Sequence, residues 1–132
     1  MKIIADTNLL LRSLVEDDPI QSPLAQAELD RAEAIALPLP ALCELVWVLS
    51  HRYGLPAGDI ADAMRRLTGS AKVLADRPAI EAGLISLEGG GDFADGVIAY
   101  EGERLGGEEF VSFDRRAVKL IAAQGRPART PA

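Results

Sequence analysis

Cysteine, histidine, long apolar runs and positive charge are what this chain has least of. Its 132 residues include one cysteine, Cys43, and one histidine, His51. A single cysteine allows no internal disulfide and excludes a zinc cluster built from cysteines, as fits a reducing, cytoplasmic setting. No apolar run approaches the length of a membrane span. Residues 1–15 lack a signal peptide's order of basic, apolar and small residues. The strand-like "KIIAD" begins at Lys2, so the fold is expected to start with the chain. Fourteen Lys and Arg against twenty Asp and Glu leave a formal net charge of −6. That balance argues against non-specific coating of nucleic acid, which needs a basic surface. It leaves room for an enzyme acting on nucleic acid, because clustered acids can carry a divalent metal that reverses the local sign.

What is present is ordinary for a globular domain. The hydrophobic fraction is 48% and the charged fraction 26%, and the length suffices for one core. Apolar strands are expected at 2–5, 34–38, 71–75 and 109–113. Leucines crowd 7–15 as in a buried helix. Ser22 followed by Pro23 reads as the N-cap and first turn of the next helix. Pro40 opens "ALCELVWVLSHRY", which stops before Gly54. Ile60, Ala63, Met64 and Leu67 keep helical spacing, as do Ile80, Gly83, Leu84 and Leu87. A helix opens at Asp92 after Gly89, Gly90 and Gly91, and Val118, Ile121 and Ala122 mark the last one, closed by Gly125.

Strands alternating with helices predict an α/β fold. The expected form is a three-layer α/β/α arrangement with a central parallel sheet of four to five strands and right-handed crossovers. Residues 1–125 are expected to form a single domain, and 126–132 a tail or short edge strand. Sheets of this kind place sites at the carboxyl ends of their strands. Asp6 and Asp114 stand at two such ends.

Each acid has a plain reading beside a chemical one. Asp6, in "IIADTN", and Asp114, in "VSFDRR", are both suited to cap the helices that follow. Asp92 and Asp95 resemble a capping box, although Glu or Gln has the longer reach preferred at the second position. A glycine-rich phosphate cradle at "GGGD" fails, since two carboxylates at the helix start repel an anion. Glu44 is the only polar residue in "ALCELVWVL", a helix that reads as apolar on every side and therefore buried. A buried carboxylate must neutralise, pair with an arginine or coordinate a metal. Four acids converging without a fixed counter-charge suit Mg²⁺ or Mn²⁺, with waters completing an octahedron. His51 could serve a Ser-His-Asp triad, but no "GxSxG" elbow exists; it reads as a helix-end or pocket-edge residue. Cys43 reads as a small core residue, and Trp47 and Tyr53 as core or interface rather than base-stacking platforms.

"IIADTNLLL", "PALCELVWVLSHRYGL", "GDFADGVIAY" and "FVSFDRRAVKL" together resemble the four blocks of the PIN-domain nucleases, closest to the VapC-type toxins of toxin–antitoxin pairs. The likeness covers nearly the whole chain in order and spacing. It implies that Asp6, Glu44, Asp95 and Asp114 are catalytic metal ligands for one or two Mg²⁺ or Mn²⁺ ions. Asp92 matches a more peripheral acid, and Thr7, Asn8 and Ser112 are expected to support the ligands. Gly96 departs from the family, which more often has Ala or another small apolar residue there; it is expected to loosen the helix slightly. Arg52, Arg104, Arg115 and Arg116 are candidates for guiding RNA, with Arg65, Arg66 and Lys119 behind them; a solvated surface is the plain reading of each.

The resemblance thus implies a cytoplasmic, metal-dependent endoribonuclease, homodimeric and silenced by a cognate antitoxin, with no membrane association. The alternatives are a PIN nuclease of RNA processing without an antitoxin and a non-catalytic metal- or partner-binding α/β module. The short chain favours the toxin over the first. Glu44 speaks against the second, since helix interiors need no cap. A phosphatase of the haloacid-dehalogenase kind would want "DxDxT" where the chain has "DTN". A receiver domain would need an acid pair after strand one; Asp76 alone answers only its phosphoacceptor.

Overall fold

A computed structural model describes residues 1–132, and the chain forms two compact units, Met1–Asp76 and Arg77–Ala132. In the first unit, β1 (Lys2–Ile4) leads to α1 (Thr7–Leu14) and α2 (Gln21–Arg31). Then come β2 (Ala34–Ala36), α3 (Leu39–His51), α4 (Ala57–Thr68) and β3 (Val73–Leu74). The strands pair in parallel in the order β1-β2-β3, with Ile3 opposite Ile35 and Ile35 opposite Val73. Parallel neighbours need crossover connections, and the helices supply them. Leu10, Leu42, Leu45, Leu49, Ile60 and Met64 are almost fully buried and form this unit's core.

Two local devices fix α2. The helix starts at Gln21, not at Pro23, so Ser22 lies inside it, with its hydroxyl donating to the Val15 carbonyl at 3.3 Å. Asp18 does the capping expected of Ser22: its Oδ1 accepts from Ile20 N and Gln21 N at 2.9 and 2.8 Å. Those backbone N–H groups, Gln21 first, hold the Asp18 carboxyl below its ordinary pKa. Asp18 therefore supports the turn at neutral pH and loses that role as it protonates in acid. At the far end, Lys72 Nζ donates to the carbonyls of Leu29, Asp30 and Ala32 at 2.6, 3.1 and 3.2 Å. A cation at these last carbonyls satisfies orphan acceptors and complements the helix dipole.

The second unit holds α5 (Arg77–Glu88), α6 (Phe93–Arg104), β4 (Phe110–Val111), α7 (Arg115–Ala123) and β5 (Ala128–Arg129). β4 and β5 pair in parallel, Phe110 opposite Ala128. β5 spans only two residues. The fold is thus α/β and its five strands are all parallel, distributed as a three-stranded and a two-stranded sheet. Strands of two or three residues, shorter than the apolar runs predicted, make few ladder bonds, so helix packing carries most of the burial.

The contact between α5 and α6 explains Gly96. A Cβ there would lie 2.4 Å from the Ala82 carbonyl oxygen and 2.6 Å from Ser86 Oγ. One turn away the ring of Phe93, itself fully buried, rests on Gly83, where a Cβ would meet Phe93 Cε2 at 2.6 Å. Gly96 thus tightens the helix pair rather than loosening the helix, a tertiary role invisible to propensity. Gly102, on the same helix, has open space around it. Gly96→Ala should destabilise by about 1–2 kcal/mol net, overpacking against backbone outweighing the propensity gain. Gly102→Ala should stabilise by about 0.5–1 kcal/mol. Denaturant unfolding of the two variants checks both signs.

Candidate functional site

Every helix begins with backbone N–H groups that lack intrahelical partners, and at α1 and α7 the chain answers them with a carboxylate. Asp6 follows β1 and caps α1, its Oδ1 accepting from Leu9 N at 2.9 Å. Thr7 Oγ1 donates to the Ala41 carbonyl at 3.4 Å. That bond ties the segment carrying Asp6 to α3, three residues ahead of Glu44. Asn8 is exposed and lines a shallow hollow of about 270 Å³ with Asp6, Leu9, Arg12 and Leu24. Arg12, the hollow's cation, is engaged by Asp17 at 2.9 Å and Gln21 at 3.1 Å.

Glu44 is exposed, which corrects the expectation of a buried carboxylate; the buried salt bridge falls with its premise. α3 is not covered all round. Leu42, Leu45, Val46, Val48 and Leu49 are buried, while Pro40, Glu44, Trp47 and His51 form an exposed stripe at helical spacing. Trp counts as apolar in a sequence window, and Pro40 and His51 fall outside "ALCELVWVL", so the stripe was concealed. Trp47 is 50% exposed and so is not a core residue. Cys43 is half-buried rather than a core residue. His51 is the last residue of α3, and Arg52 follows as its exposed C-cap.

In the second unit Asp114 caps α7, its Oδ1 accepting from Arg116 N at 3.0 Å and Ala117 N at 3.1 Å. The Asp114 N–H donates to Ser112 Oγ at 3.0 Å, so Ser112 fixes the backbone that presents the carboxylate. The cap predicted at Asp92 is not made: Asp92 holds the N-cap position of α6, but its side chain accepts no capping bond. Gly90, at φ +93°, turns the chain into this start, a conformation that favours glycine.

Half-buried Asp95 sits in the first turn of α6, and its carboxyl is held above its ordinary pKa. Burial is the largest cause, followed by the charges of Asp92 and Asp114, and all three act in one direction. These three acids therefore share a field. The arginines lie around it differently. Arg116 Nη2 donates to the Gly90 carbonyl at 3.0 Å, Arg115 is exposed, and Arg104 stands 5.8 Å over the Tyr100 ring.

The four predicted ligands divide two and two, Asp6 and Glu44 in the first unit, Asp95 and Asp114 in the second. No three His, Cys, Asp or Glu side chains gather within either unit as a metal site of its own. The donor chemistry nonetheless fits a hard divalent cation: every candidate offers carboxylate oxygen, and the ionised form of Asp95 lacks the compensation a cation would give.

An α/β fold of parallel strands with carboxylates at the helix starts that follow them defines a class of acidic-site enzymes. The chain matches the PIN domain over residues 3–123, which spans both units, and it belongs to that family. PIN domains are nucleases, hydrolases that generally depend on divalent metal and act on RNA. No curated protein matches the chain. None of its helices is long and apolar enough to cross a membrane.

The sign of the Asp95 effect gives a prediction. A carboxyl whose pKa is raised by folding is most compatible with the fold when protonated, and it costs stability as pH rises through that raised value. Asp95→Asn should therefore raise the melting temperature of metal-free protein at neutral pH, and the gain should vanish in acid, where the wild-type carboxyl is protonated. Mg²⁺ should stabilise wild type more than the variant. Thermal melts across pH, with and without Mg²⁺, read each outcome.

Proposed function

We propose that this PIN domain is a Mg²⁺- or Mn²⁺-dependent endoribonuclease and the toxin of a toxin–antitoxin pair. The match to the PIN domain over residues 3–123 carries the nuclease reading, and half-buried Asp95 beside the charges of Asp92 and Asp114 agrees with it. A cluster of carboxylates in that condition favours a divalent cation. Asp6, Glu44, Asp95 and Asp114 are the residues that would hold one or two ions, with Asp92 beside Asp95. Bound there, the metal supplies Lewis acidity toward water and neutralises phosphate charge.

The chain's own groups do the rest. One carboxylate oxygen each of Asp6 and Asp114 is held by helix-start N–H groups, so the other is presented in a fixed direction. Ser112 and Thr7 restrain the two segments that present them. Preorganisation of this kind removes reorganisation cost when charge develops on the phosphodiester. Arg115 and Arg116, the two residues that follow Asp114, are suited to the phosphates flanking the cleaved bond. An acidic cluster without its own cation is also complementary to a basic side chain of an antitoxin. The toxin role, the homodimer and the cytoplasmic setting follow the resemblance of the four sequence blocks to VapC-type toxins.

Purified protein should cleave structured RNA in Mg²⁺ or Mn²⁺ and stop in chelator. Asp6→Asn should lower the rate on the order of 100-fold or more while leaving the fold intact. Gel analysis of end-labelled RNA with circular dichroism of the variant measures both; undiminished cleavage by Asp6→Asn would count against the site. Expression should arrest growth, and co-expression of a small neighbouring reading frame should relieve it. Cleavage without arrest would favour an RNA-processing nuclease.

A further inference from the structure

The exposed stripe of α3 carries an aromatic pair that the acidic chemistry does not use. The rings of Trp47 and His51 are stacked, with centroids 4.8 Å apart and planes inclined by 16°. His51 Nδ1 lies 3.1 Å from the Trp47 carbonyl oxygen; in the tautomer protonated at Nδ1 it donates there, which holds the imidazole against the indole. An indole 50% open to solvent, on a helix whose Leu42, Leu45, Val46, Val48 and Leu49 are buried, is a surface without a partner inside its unit. It is a flat π-face, prealigned and half-dry, on the same helix face as Glu44.

From these observations we infer that Trp47, braced by His51, is a stacking platform for a base of single-stranded RNA next to the cleaved phosphodiester. The inference rests on the nuclease reading above. At 1.5 Å per residue, Trp47 lies about 4.5 Å and His51 about 10.5 Å along the axis from Glu44, a span within reach of a neighbouring nucleotide. Phosphates are repelled by a chain of net charge −6 except where metal or arginine meets them. Affinity therefore has to come from an uncharged part of the substrate, and every base has a π-face to offer. Arg52, exposed at the end of the same helix, is the cation nearest in sequence to this platform.

Trp47 is the only tryptophan of the chain, so its emission reports this position alone. Full-length protein in chelator, titrated with a short single-stranded RNA, should show saturable quenching. Inorganic polyphosphate, which carries charge but no bases, should leave the emission unchanged. In Mg²⁺ or Mn²⁺, Trp47→Ala should raise KM for RNA cleavage about five- to a hundredfold with kcat within about twofold, and Trp47→Phe should recover part of the loss. Saturating RNA without quenching, equal quenching by polyphosphate, or an unchanged KM in Trp47→Ala would overturn the platform. Emission that responds to protein concentration but not to RNA would overturn it too, and mark a contact between copies of this chain. Should Trp47→Ala fail to fold, the wild-type titration and Trp47→Phe still decide. A wild-type protein that cleaves no RNA defeats the nuclease reading separately, with the quenching measured independently of it.

Discussion

The unpaired backbone N–H groups at helix starts are the constraint on which the arrangement of acids depends. A carboxylate placed there satisfies donors that would otherwise be left open and meets the positive end of the helix dipole. Asp6 and Asp114 both answer that demand within three residues of a strand's end. Capping and metal binding are therefore compatible readings of the same residue. A cap engages one carboxylate oxygen with backbone, and the second oxygen inherits the fixed orientation. Asp92 and Asp95 are the contrast. They stand at a helix start without a side-chain cap, and their charges work against each other.

That division of labour was only partly legible in the sequence. The order of strands and helices followed from apolar spacing, because local burial periodicity needs no knowledge of distant neighbours. The capping pattern at Asp6 and Asp114 was legible for the same reason. Asp18 was missed because Ser22-Pro23 is a strong start signal, and the competition between two nearby caps is settled by the preceding turn. Asp92 was misjudged because a capping box describes spacing, and spacing alone does not set which way the side chain turns.

Glu44 and Gly96 illustrate the harder limit. A nine-residue window holding one polar side chain reads as buried, yet burial depends on which helix faces a neighbour covers. α3 offers its leucines and valines to the core and leaves Pro40, Glu44, Trp47 and His51 outside. Gly96 looked like a weak point in α6 because propensity weighs the helix alone. The missing side chain is what lets α6 approach the backbone of α5, a contact between elements that no window contains. The short strands follow the same logic: apolar runs mark buried segments, but ladder length depends on partners.

On the proposed function, the two units offer different kinds of surface. Unit two contributes a carboxylate whose ionisation is opposed by its neighbours, a penalty that a bound cation would remove. Unit one contributes a helix face on which an acid and a stacked aromatic pair share the exposed side. An acidic protein has little long-range attraction for a polyanion, so metal charge at the phosphate and apolar contact at the base are complementary means of holding the same substrate. On that reading the shortage of basic residues, which at first argued against nucleic acid, would restrict binding to places where those two means coincide.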